Sequence, residues 1–557
     1  MKSLTKIFYF HAIDTLFSVS ELVNNAKDFE TAKITTPVRS GLLWKRLRSY
    51  KHRATISRGF RDGFRIGVDR PILSRHESSK KFISSHNLEQ LTSKLNVELE
   101  QRRILGPYDS LPTDSLVISP LYVIPKSTPG KFRLIHDLSY PKGNSVNDHI
   151  NDERKSVVYC SLLEVAEVIL KSPEQLYMAK VDLRDAYRIV PIHKDDWKYL
   201  GMRYKDKYLV DTTLPMGLGT SCKIFQMISD SLAWIFRQDH IDCYMFNYLD
   251  DFLILGRSKH QCDDALTSFL TTLKDLGFPV SMEKTVVSTQ SIEFLGIGID
   301  SLNHCFFIPD DKRAKAVSFI DQFLVRKKAK VHEIQKLVGK LTFLSQVFIP
   351  GRALLRGLHE QLTGILSQEG WHSRRISRSV KEDLRVWRGF LVDESSAKPF
   401  RFLFPGEVPA AVITTDAASS IGYGGYNGSQ WFKGRWNDGW WMDQNITLLE
   451  LYPIYVAVNI WLNELSNKTV LIRTDNDAVV ATISKLYSRE NYVNKLLKSM
   501  ALTLMKNNVV LKCEHIPGVK NVIADMLSRD TGNLSHNQVV KIPANLSTVE
   551  TKNMLRG

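Results

Sequence analysis

The sequence predicts an α/β protein of several domains, and three observations support that prediction. The chain has 557 residues, which is enough for about three to five domains of ordinary size. Apolar runs typical of strands dominate from Leu116 to about residue 300, and again from Val412 to about Arg529. Between these two α/β segments, residues 311–392 carry apolar side chains at helical spacing.

These patterns divide the chain into six parts. In chain order, we expect a basic N-terminal extension over 1–95, a first α/β segment over 96–300, a helical segment over 301–398, a linker over 399–410, a second α/β segment over 411–530 and a flexible tail over 531–557. Leucines at helical spacing predict a helix over 81–104. The tail is polar and terminal, which favours fraying.

The composition of the chain argues against several classes of protein. A hydrophobic fraction of 43% is typical of a folded domain, and no apolar run is long enough to cross a membrane. The net charge of +16 favours a polyanionic partner. Because the six cysteines lack Cys-x-x-Cys spacing, we expect neither a disulfide framework nor a zinc knuckle. An intracellular protein, of the cytoplasm, the nucleus or both, is the simplest interpretation.

The N-terminal extension is rich in basic residues. Between Arg39 and Asp62 there are eight Lys or Arg residues and one Asp, interleaved with Trp44, Tyr50 and Phe60. Basic residues next to aromatic ones suit single-stranded nucleic acid. A solvated flank or an arm that docks a partner protein fits the pattern equally well.

A first group of carboxylates marks the first α/β segment. Asp250 and Asp251 lie between two apolar runs, which predicts two buried strands joined by a tight turn. Asp182 ends another apolar run, Tyr177–Val181. Burying ionised carboxylates is costly unless a cation compensates them. Aspartates that converge from separate strands are what a two-Mg²⁺ site for phosphoryl transfer requires.

Cations and glycines in the same segment suggest a site for a triphosphate. Lys126, Lys131 and Arg133 lie on a predicted hairpin, where Arg can bind phosphate through bidentate hydrogen bonds and Lys as a point charge. The stretch Leu214–Thr220 contains Gly217 and precedes a predicted helix. Glycines in that position let the backbone approach a ligand closely.

A second group of carboxylates lies beyond the linker. Asp416 ends a predicted strand, Glu450 lies in a predicted helix and Asp475 ends another strand. Asp525 follows a last strand that ends at His515. Four carboxylates at the ends of strands and in helices could again hold two Mg²⁺ ions, here to activate water. A single Asp in such a place is usually only a turn former, so the ordered set carries the prediction.

The first α/β segment resembles a reverse transcriptase over about residues 100–300. Six stretches occur in the order that this family has them: Phe132–Ser139, Val181–Tyr187, Leu214–Gln226, Tyr248–Asp251, Met282–Lys284 and Phe294–Gly296. The resemblance implies a right-hand polymerase with fingers, palm and a thumb-like helical connection. It also implies Mg²⁺ or Mn²⁺, two ions per active site, and as partners an RNA template, a DNA primer, RNA–DNA hybrid and deoxynucleoside triphosphates.

The same resemblance assigns roles to individual residues. Asp182, Asp250 and Asp251 match the catalytic carboxylates that bind the metal ions. Lys126 and Arg133 match contacts of the fingers with the triphosphate.

Further matching residues surround the nucleotide and its leaving group. Tyr187 matches the aromatic residue that excludes a ribose 2′-hydroxyl, although its position alone suits an ordinary core aromatic. Lys284 matches a lysine that protonates pyrophosphate, and a surface lysine is the alternative. Met216 and Gly217 match nucleotide-binding positions. Met216 stands where retroviral relatives carry glutamine, and a thioether cannot make the hydrogen bonds of that amide.

The second α/β segment resembles ribonuclease H over residues 410–530. The resemblance implies that Asp416, Glu450, Asp475 and Asp525 are catalytic and bind metal ions, and that the enzyme cuts RNA in a hybrid. It implies for His515 a role in product release or proton transfer, with a structural histidine as the alternative.

Other stretches are similar to DIRS-like retrotransposons, which use a tyrosine recombinase. They are Gly59–Ile66, Ile118–Leu121, Asp137–Asp148, Val338–Leu341 and Pro350–Arg352. Gypsy-like retrotransposons and plant pararetroviruses share the order of polymerase and nuclease and remain alternatives. A non-catalytic nucleic-acid-binding derivative is the rival class, although all seven carboxylates are present. We expect recombinase and capsid proteins to be supplied separately, and no membrane partner.

Overall fold

The structure is a computed structural model that describes residues 26–70, 72, 85–125, 130–363, 372–392, 398–399, 409–534 and 537–556. The chain forms two compact units. The first contains the described residues of Met1–Val165 and Ser172–Leu295, and the second those of Ala166–Lys171 and Gly296–Gly557. Both units combine helices with β-sheets, so the prediction of an α/β multidomain protein is confirmed.

The first part of the chain alternates helices and short strands. Its elements are α1 (Ala26–Thr31), α2 (Ser40–Arg46), α3 (Arg53–Asp62), α4 (Ser85–Glu100), β1 (Ile104–Tyr108), β2 (Leu121–Pro125), β3 (Phe132–His136), α5 (Asp152–Lys155), α6 (Leu162–Lys171), β4 (Tyr177–Asp182), α7 (Lys194–Trp197), β5 (Gly201–Tyr204), β6 (Lys207–Asp211), α8 (Ser221–Asp239), β7 (Tyr244–Tyr248), β8 (Asp251–Gly256), α9 (Lys259–Leu276), β9 (Val286–Thr289) and β10 (Ser291–Phe294). The helix predicted over 81–104 is present as α4.

An antiparallel sheet with the strand order β7-β8-β4-β9, here called the palm sheet, is the centre of the first unit. Strand β8 is buried along most of its length, because helix α8 packs beside β7 and helix α9 covers β8, β4 and β9. Two smaller groups of strands, β1-β6-β5 and the pair β2-β3, complete the unit. The apolar runs on both sides of Asp250 therefore form neighbouring strands. Strand β8 is buried as predicted, whereas only two of the five residues of β7 are buried.

The basic N-terminal part contributes to the core of the first unit. Leu43 of α2 and Ile56 and Phe60 of α3 are buried in one cluster with side chains of α8 and α9. The ring of Phe60 contacts Phe278 edge-on, with 5.6 Å between centroids. This differs from the separate extension that the sequence suggests. The apolar side chains of these short helices are interspersed with cations, which hides their helical periodicity.

The second part of the chain begins with a short hairpin and a group of helices and ends in a larger sheet. Its elements are β11 (Ile297–Asp300), β12 (Cys305–Phe307), α10 (Asp310–Val325), β13 (Lys328–Lys330), α11 (Val331–Leu344), α12 (Arg356–Glu360), β14 (Ser373–Arg375), α13 (Arg378–Val392), β15 (Lys398–Pro399), β16 (Ala411–Ala418), β17 (Gly422–Tyr426), β18 (Gln430–Arg435), α14 (Gly439–Met442), α15 (Ile446–Ile460), α16 (Leu462–Leu465), β19 (Thr469–Thr474), α17 (Asp477–Lys485), α18 (Asn491–Lys506), β20 (Val510–His515), α19 (Val522–Ser528), β21 (Gln538–Val539) and α20 (Thr548–Arg556).

A six-stranded sheet with the order β20-β19-β16-β17-β18-β21 dominates the second unit. Strands β16, β19 and β20 are parallel, whereas β17 is antiparallel to both β16 and β18. The buried helix α15 packs against β16 and β17. The ends of the parallel strands therefore meet at one edge of the sheet, where Asp416 and Asp475 lie.

The C-terminal segment packs on the core of the second unit. Strand β21 pairs with β18. The Tyr452 hydroxyl donates to the carbonyl of Leu546 at 2.8 Å, and the Trp441 indole N–H to that of Thr548 at 3.1 Å. Where the sequence predicts a flexible tail, the structure has a strand and a helix, because Leu546 and Leu555 bury apolar surface that the polar composition conceals.

Two other sequence-based predictions concern the linker and a helix that could cross a membrane. Most of the predicted linker, residues 400–408, lies outside the described residues. Within the described ranges, no helix combines the length and the apolar character that crossing a membrane requires.

Two carboxylate clusters as candidate active sites

The palm sheet brings together the three carboxylates of the first group, here called the palm site. Asp182 is the last residue of β4 and pairs in register with Asp251, the first residue of β8. Asp250 lies in the tight turn between β7 and β8, where Leu249 has a φ of +51°. The Leu183 amide donates to the Asp250 carbonyl at 3.0 Å. All three residues therefore lie at one end of the sheet.

Buried polar side chains of α8 hold the turn that carries Asp250. The Leu249 amide donates to Gln226 Oε1 at 2.9 Å, and the Ser229 hydroxyl donates to the Leu249 carbonyl at 2.6 Å. Gln226 and Asn247 each donate to Asp230 Oδ1, at 2.8 and 2.7 Å. Sequence reasoning missed this support. The signal that could have indicated it is a set of polar residues at helical spacing on an otherwise apolar, buried helix, because buried polar groups need hydrogen-bond partners.

Two lysines provide positive charge at the palm site. Lys284 Nζ donates to both carboxylate oxygens of Asp182, at 2.9 and 3.1 Å, and Lys180 Nζ lies 3.0 Å from Asp251 Oδ1. Burial, followed by the neighbouring charge of Asp251, raises the pKa of Asp250 to about 6. Burial also raises the pKa of Asp251. A bound divalent cation would compensate the negative charges of these buried carboxylates. The residues therefore fit such an ion.

Tyr187 lies next to the palm site and is held from two sides. Its hydroxyl is 3.2 Å from the Cys222 sulfur, and its ring meets that of Phe225 edge-on with 5.5 Å between centroids. Tyr187 lies two residues after Asp185, which has left-handed backbone geometry at φ +53°. Sequence reasoning did not single out Cys222, because its contact with Tyr187 depends on packing.

The glycine loop before α8 is fixed by contacts on both sides. The His136 amide donates to the carbonyl of the half-buried Met216 at 3.0 Å. Asn147 donates to the Gly217 carbonyl at 2.8 Å and accepts from the Gly219 amide at 2.7 Å. Gly217 has a φ of +126°, and a Cβ atom there would lie 1.9 Å from the His136 carbonyl oxygen. Only glycine fits this position.

Two of the three predicted triphosphate contacts lie on strand β3 or directly before it. Arg133 is exposed on β3 and pairs in register with Ile124, and Lys131 is exposed just before that strand. Lys126 lies outside the described residues. Their contact with a triphosphate stays a prediction.

The second unit brings together three of the four carboxylates of the second group, here called the nuclease-like site. Oxygen atoms of Asp416, Glu450 and Asp475 lie within 4.8 Å of one another. Asp525 is not part of this cluster. Its carboxylate accepts from Arg529 Nε at 2.6 Å, one helical turn further along the chain. His515 is exposed at the end of β20.

The nuclease-like site has a strong excess of negative charge. Burial, followed by the charges of Asp416 and Asp475, raises the pKa of Glu450 to about 9. Burial is also the largest cause that raises the pKa of Asp416, to about 6. Glu450 Oε2 is buried and has no hydrogen-bond partner among the described residues. A carboxylate oxygen in this condition is a suitable ligand for a divalent cation, so the residues present fit such an ion.

Neutral side chains of the last loop and helix hold the carboxylates of the nuclease-like site. The Ser528 hydroxyl donates to Asp416 Oδ2. Asn521 Nδ2 donates to the Thr415 carbonyl at 3.2 Å and to Asp416 Oδ1 at 3.4 Å. A Cβ atom at Gly518 would lie 3.1 Å from Asp475 Oδ2. Ser528 and Asn521 lie more than 100 residues from their partners in sequence, so no local pattern indicated them.

The residues around the palm site match a known protein family. Residues 124–299 match the family described as reverse transcriptase (RNA-dependent DNA polymerase). The matched range contains the three carboxylates of the palm site, Tyr187 and Lys284. The chain therefore contains a reverse transcriptase domain.

Viral polyproteins are among the relatives of the chain. It is 25% identical over 243 residues to the Gag-Pol polyprotein of Avian reticuloendotheliosis virus, a match that covers 42% of this chain and 20% of that protein. It is 22% identical over 432 residues to a polyprotein of Cassava vein mosaic virus that is described as enzymatic, covering 75% of this chain and 61% of that protein. The chain thus spans from about a fifth to three fifths of the length of these relatives.

Solved structures of a foamy viral enzyme are also similar. The foamy viral protease-reverse transcriptase in complex with double-stranded DNA is 14% identical, with a TM-score of 0.49, and the match covers 89% of this chain and 83% of that one. The same enzyme in complex with an RNA/DNA hybrid is 14% identical, with a TM-score of 0.48, covering 90% of this chain and 65% of that one.

Proposed function

We propose that this chain, with its reverse transcriptase domain at residues 124–299, is an RNA-directed DNA polymerase that also has ribonuclease H activity. One observation carries the proposal: Asp182, Asp250 and Asp251 lie at one end of the palm sheet within that domain. The substrates would be an RNA template, a DNA primer and deoxynucleoside triphosphates, and the hybrid product would be the substrate of the nuclease.

The residues of the palm site have complementary roles in polymerisation. Asp182, Asp250 and Asp251 would hold Mg²⁺ or Mn²⁺. Bound ions would supply activation of the primer 3′-hydroxyl and stabilisation of the leaving pyrophosphate. Lys284, which donates to Asp182, keeps a proton within reach of the leaving group. The ring of Tyr187, held against Cys222 and Phe225, limits the space for a 2′-hydroxyl.

The residues of the nuclease-like site would cut the RNA strand of the hybrid. Asp416, Glu450 and Asp475 would hold the divalent ions, whose chemistry is to activate water. Ser528 and Asn521 keep Asp416 in place. Asp525 and His515, on α19 and at the end of β20, would act at the edge of the site, where His515 is exposed to solvent.

Primer extension tests the polymerase activity. The native chain should extend a DNA primer on an RNA template with Mg²⁺, and EDTA should abolish the reaction. Asp250→Asn should reduce extension by roughly 10³-fold or more, because one negative charge at the metal site is lost. Asp242→Asn, at an exposed position just before β7, is the matched control and should behave like the native chain. Substantial extension by Asp250→Asn would refute the assignment.

Cleavage of a labelled hybrid tests the nuclease activity separately. Asp475→Asn should abolish cutting of the RNA strand and leave primer extension intact, because the two sites use different carboxylates. Asp443→Asn, an exposed aspartate in the same unit, is the control. Persistent cutting by Asp475→Asn would move the nuclease activity to another site.

We also propose that the chain comes from a DIRS-like retrotransposon and acts in the cytoplasm, the nucleus or both. The stretches Gly59–Ile66 and Asp137–Asp148 support this lineage, whereas the pararetroviral relative favours the alternative of a plant pararetrovirus. The surrounding genomic DNA tests the proposal: a DIRS-like element should encode a tyrosine recombinase. A neighbouring gene for a different integrase would contradict it.

A further inference from the structure

Helices α2 and α3 form an outer layer over α8 and α9. Leu43 and Ile56 are fully buried on the inner face of this layer. The Arg39 amide donates to the Leu276 carbonyl at the end of α9 at 2.9 Å, and Tyr50 contacts Trp234 of α8 with 5.5 Å between ring centroids. The opposite face of α2 and α3 is therefore fixed in place and directed to solvent.

This outward face, here called the α2–α3 surface, has a concentration of exposed cations. Arg39, Lys45, Arg48, Lys51 and Arg58 are exposed. Within the described ranges, none of the five has a carboxylate within 4.0 Å. Five positive charges over 20 residues create a potential that attracts polyanions.

An aromatic platform accompanies these cations. Trp44 is 41% exposed, and the guanidinium carbon of Arg53 lies 3.7 Å from the centre of its ring. Arg53 Nε also donates to the Trp44 carbonyl at 2.8 Å, which fixes the pair. A stacked indole and guanidinium offer a flat surface on which an unpaired base can stack.

The Arg46 end of the α2–α3 surface lies far from the glycine loop that precedes α8. Arg46 of α2 forms an ion pair with Asp239, the last residue of α8. The first residue of α8, Ser221, follows the loop that contains Gly217. Helix α8 has 19 residues and is therefore about 28 Å long. A strand bound near Arg46 is thus a different stretch of nucleic acid from one bound at the glycine loop.

We infer that the α2–α3 surface is a second nucleic-acid site, which binds single-stranded RNA through its phosphates while a base stacks on Trp44 and Arg53. The exposed large apolar side chains described on these helices are Leu42 and Trp44, which are too few to anchor a lipid surface. A single strand suits the surface better than a duplex, because its unpaired bases can reach the aromatic platform. The site goes beyond the proposed catalytic function and does not depend on it.

Binding of a labelled single-stranded RNA to the full chain tests this site. Saturating unlabelled RNA–DNA hybrid should be present, so that the palm and nuclease-like sites are occupied. The triple variant Lys45→Gln/Lys51→Gln/Arg48→Gln should bind at least tenfold more weakly at low salt. Its slope of log affinity against log salt should fall by about 2, because each lost phosphate contact contributes about 0.7 for a single strand.

A matched variant controls for the loss of net charge. The variant Lys259→Gln/Lys485→Gln/Lys506→Gln also removes three positive charges, but from exposed positions elsewhere. It should bind RNA like the native chain. Trp44→Ala should weaken binding by roughly fivefold or more without changing the salt slope. A circular-dichroism spectrum and a midpoint of thermal unfolding like those of the native chain would show that each variant is folded.

Three outcomes would overturn the inference. The first is unchanged RNA binding by the α2–α3 triple variant, and the second is an equal loss in the matched control. The third is a preference of the surface for another ligand. The native chain would then bind single-stranded DNA more tightly than RNA, or the triple variant would lose binding to phosphatidylserine vesicles and keep its binding to RNA. Because the readout is RNA binding, these outcomes are distinct from a failure of the catalytic proposal.

Discussion

The palm site and the nuclease-like site bury carboxylates to the same degree but compensate them differently. Asp182, Asp416 and Glu450 are each 5% exposed, so burial alone does not distinguish the two sites. At the palm site, Lys284 and Lys180 pair with Asp182 and Asp251. At the nuclease-like site, the described residues place no lysine or arginine within 4.0 Å of the three clustered carboxylates.

The two sites therefore stabilise their buried negative charge in different ways. The palm site is partly neutralised by permanent cations of the chain. The nuclease-like site relies on neutral donors such as Ser528 and on protonation, since burial and neighbouring charge raise the pKa of Glu450 to about 9. The nuclease-like site should therefore depend more strongly on bound divalent ions, and the palm site on its lysines.

Among the residues that compensate the clustered carboxylates, Lys284 has the largest expected effect. Lys284→Gln should reduce primer extension by about 100-fold, because Asp182 loses its counter-charge and the leaving group loses a proton donor. Hybrid cleavage should stay unchanged. Lys284→Arg keeps the positive charge and should recover a large part of the rate. A loss of less than threefold in Lys284→Gln would show that the lysine does not contribute to the palm site.

A smaller effect is expected at Ser528. Ser528→Ala removes the hydroxyl that donates to Asp416. It should raise the Mg²⁺ concentration for half-maximal hybrid cleavage by about tenfold, as is usual when a residue that orients a metal ligand is lost. Ser528→Thr, which keeps a hydroxyl, is the control. An unchanged Mg²⁺ requirement in Ser528→Ala would mean that Asp416 does not need this contact.

The buried His136, whose backbone amide supports the glycine loop, should make the stability of the first unit depend on pH. Burial lowers the pKa of His136 to about 3, below the value of about 6.5 in an unfolded chain. Between these pH values the unfolded chain binds the additional proton, so this histidine costs stability as pH falls. The contribution is up to about 1.4 kcal/mol per pH unit.

His136→Gln should remove this contribution. Burial also raises the pKa of Asp211 to about 6, which gives an opposite slope between about pH 4 and 6. Asp211 is present in both proteins but lies 4.0 Å from His136 Nδ1, so the difference between their unfolding free energies reports His136 together with its coupling to Asp211. Urea unfolding between pH 4.5 and 6.5 measures it. Parallel stability curves for the variant and the native chain would contradict the prediction.

The smallest expected effect concerns the choice of sugar. Cys222→Ala removes the sulfur that lies 3.2 Å from the Tyr187 hydroxyl and should let the ring move. Incorporation of ribonucleotides relative to deoxynucleotides should rise by about threefold, in line with the loss of one weak hydrogen bond. Cys222→Ser keeps a polar partner and should resemble the native chain. An unchanged ratio in Cys222→Ala would show that Phe225 alone positions Tyr187.

The sequence predicted the positions of most site residues because they follow local patterns. Asp182 ends β4 and Asp250 lies in the turn before β8, as the flanking apolar runs indicate. Asp416 is on a strand and Asp475 directly follows one. Asp525 lies outside the cluster of the other three, which was not predictable because it depends on how α19 packs against β16 and β17. The packing of the C-terminal segment was also missed, because few of its residues are apolar.

The sequence by itself determined where the carboxylates lie in the local structure of each part of the chain. Apolar periodicity places carboxylates at strand ends and in a helix, and this periodicity arises between neighbouring residues. Tertiary structure alone decided how the carboxylates are compensated. Lys284 and Asp182 are separated by 102 residues, Ser528 and Asp416 by 112. Such contacts depend on strand register and helix packing, which bring together segments that no local pattern connects.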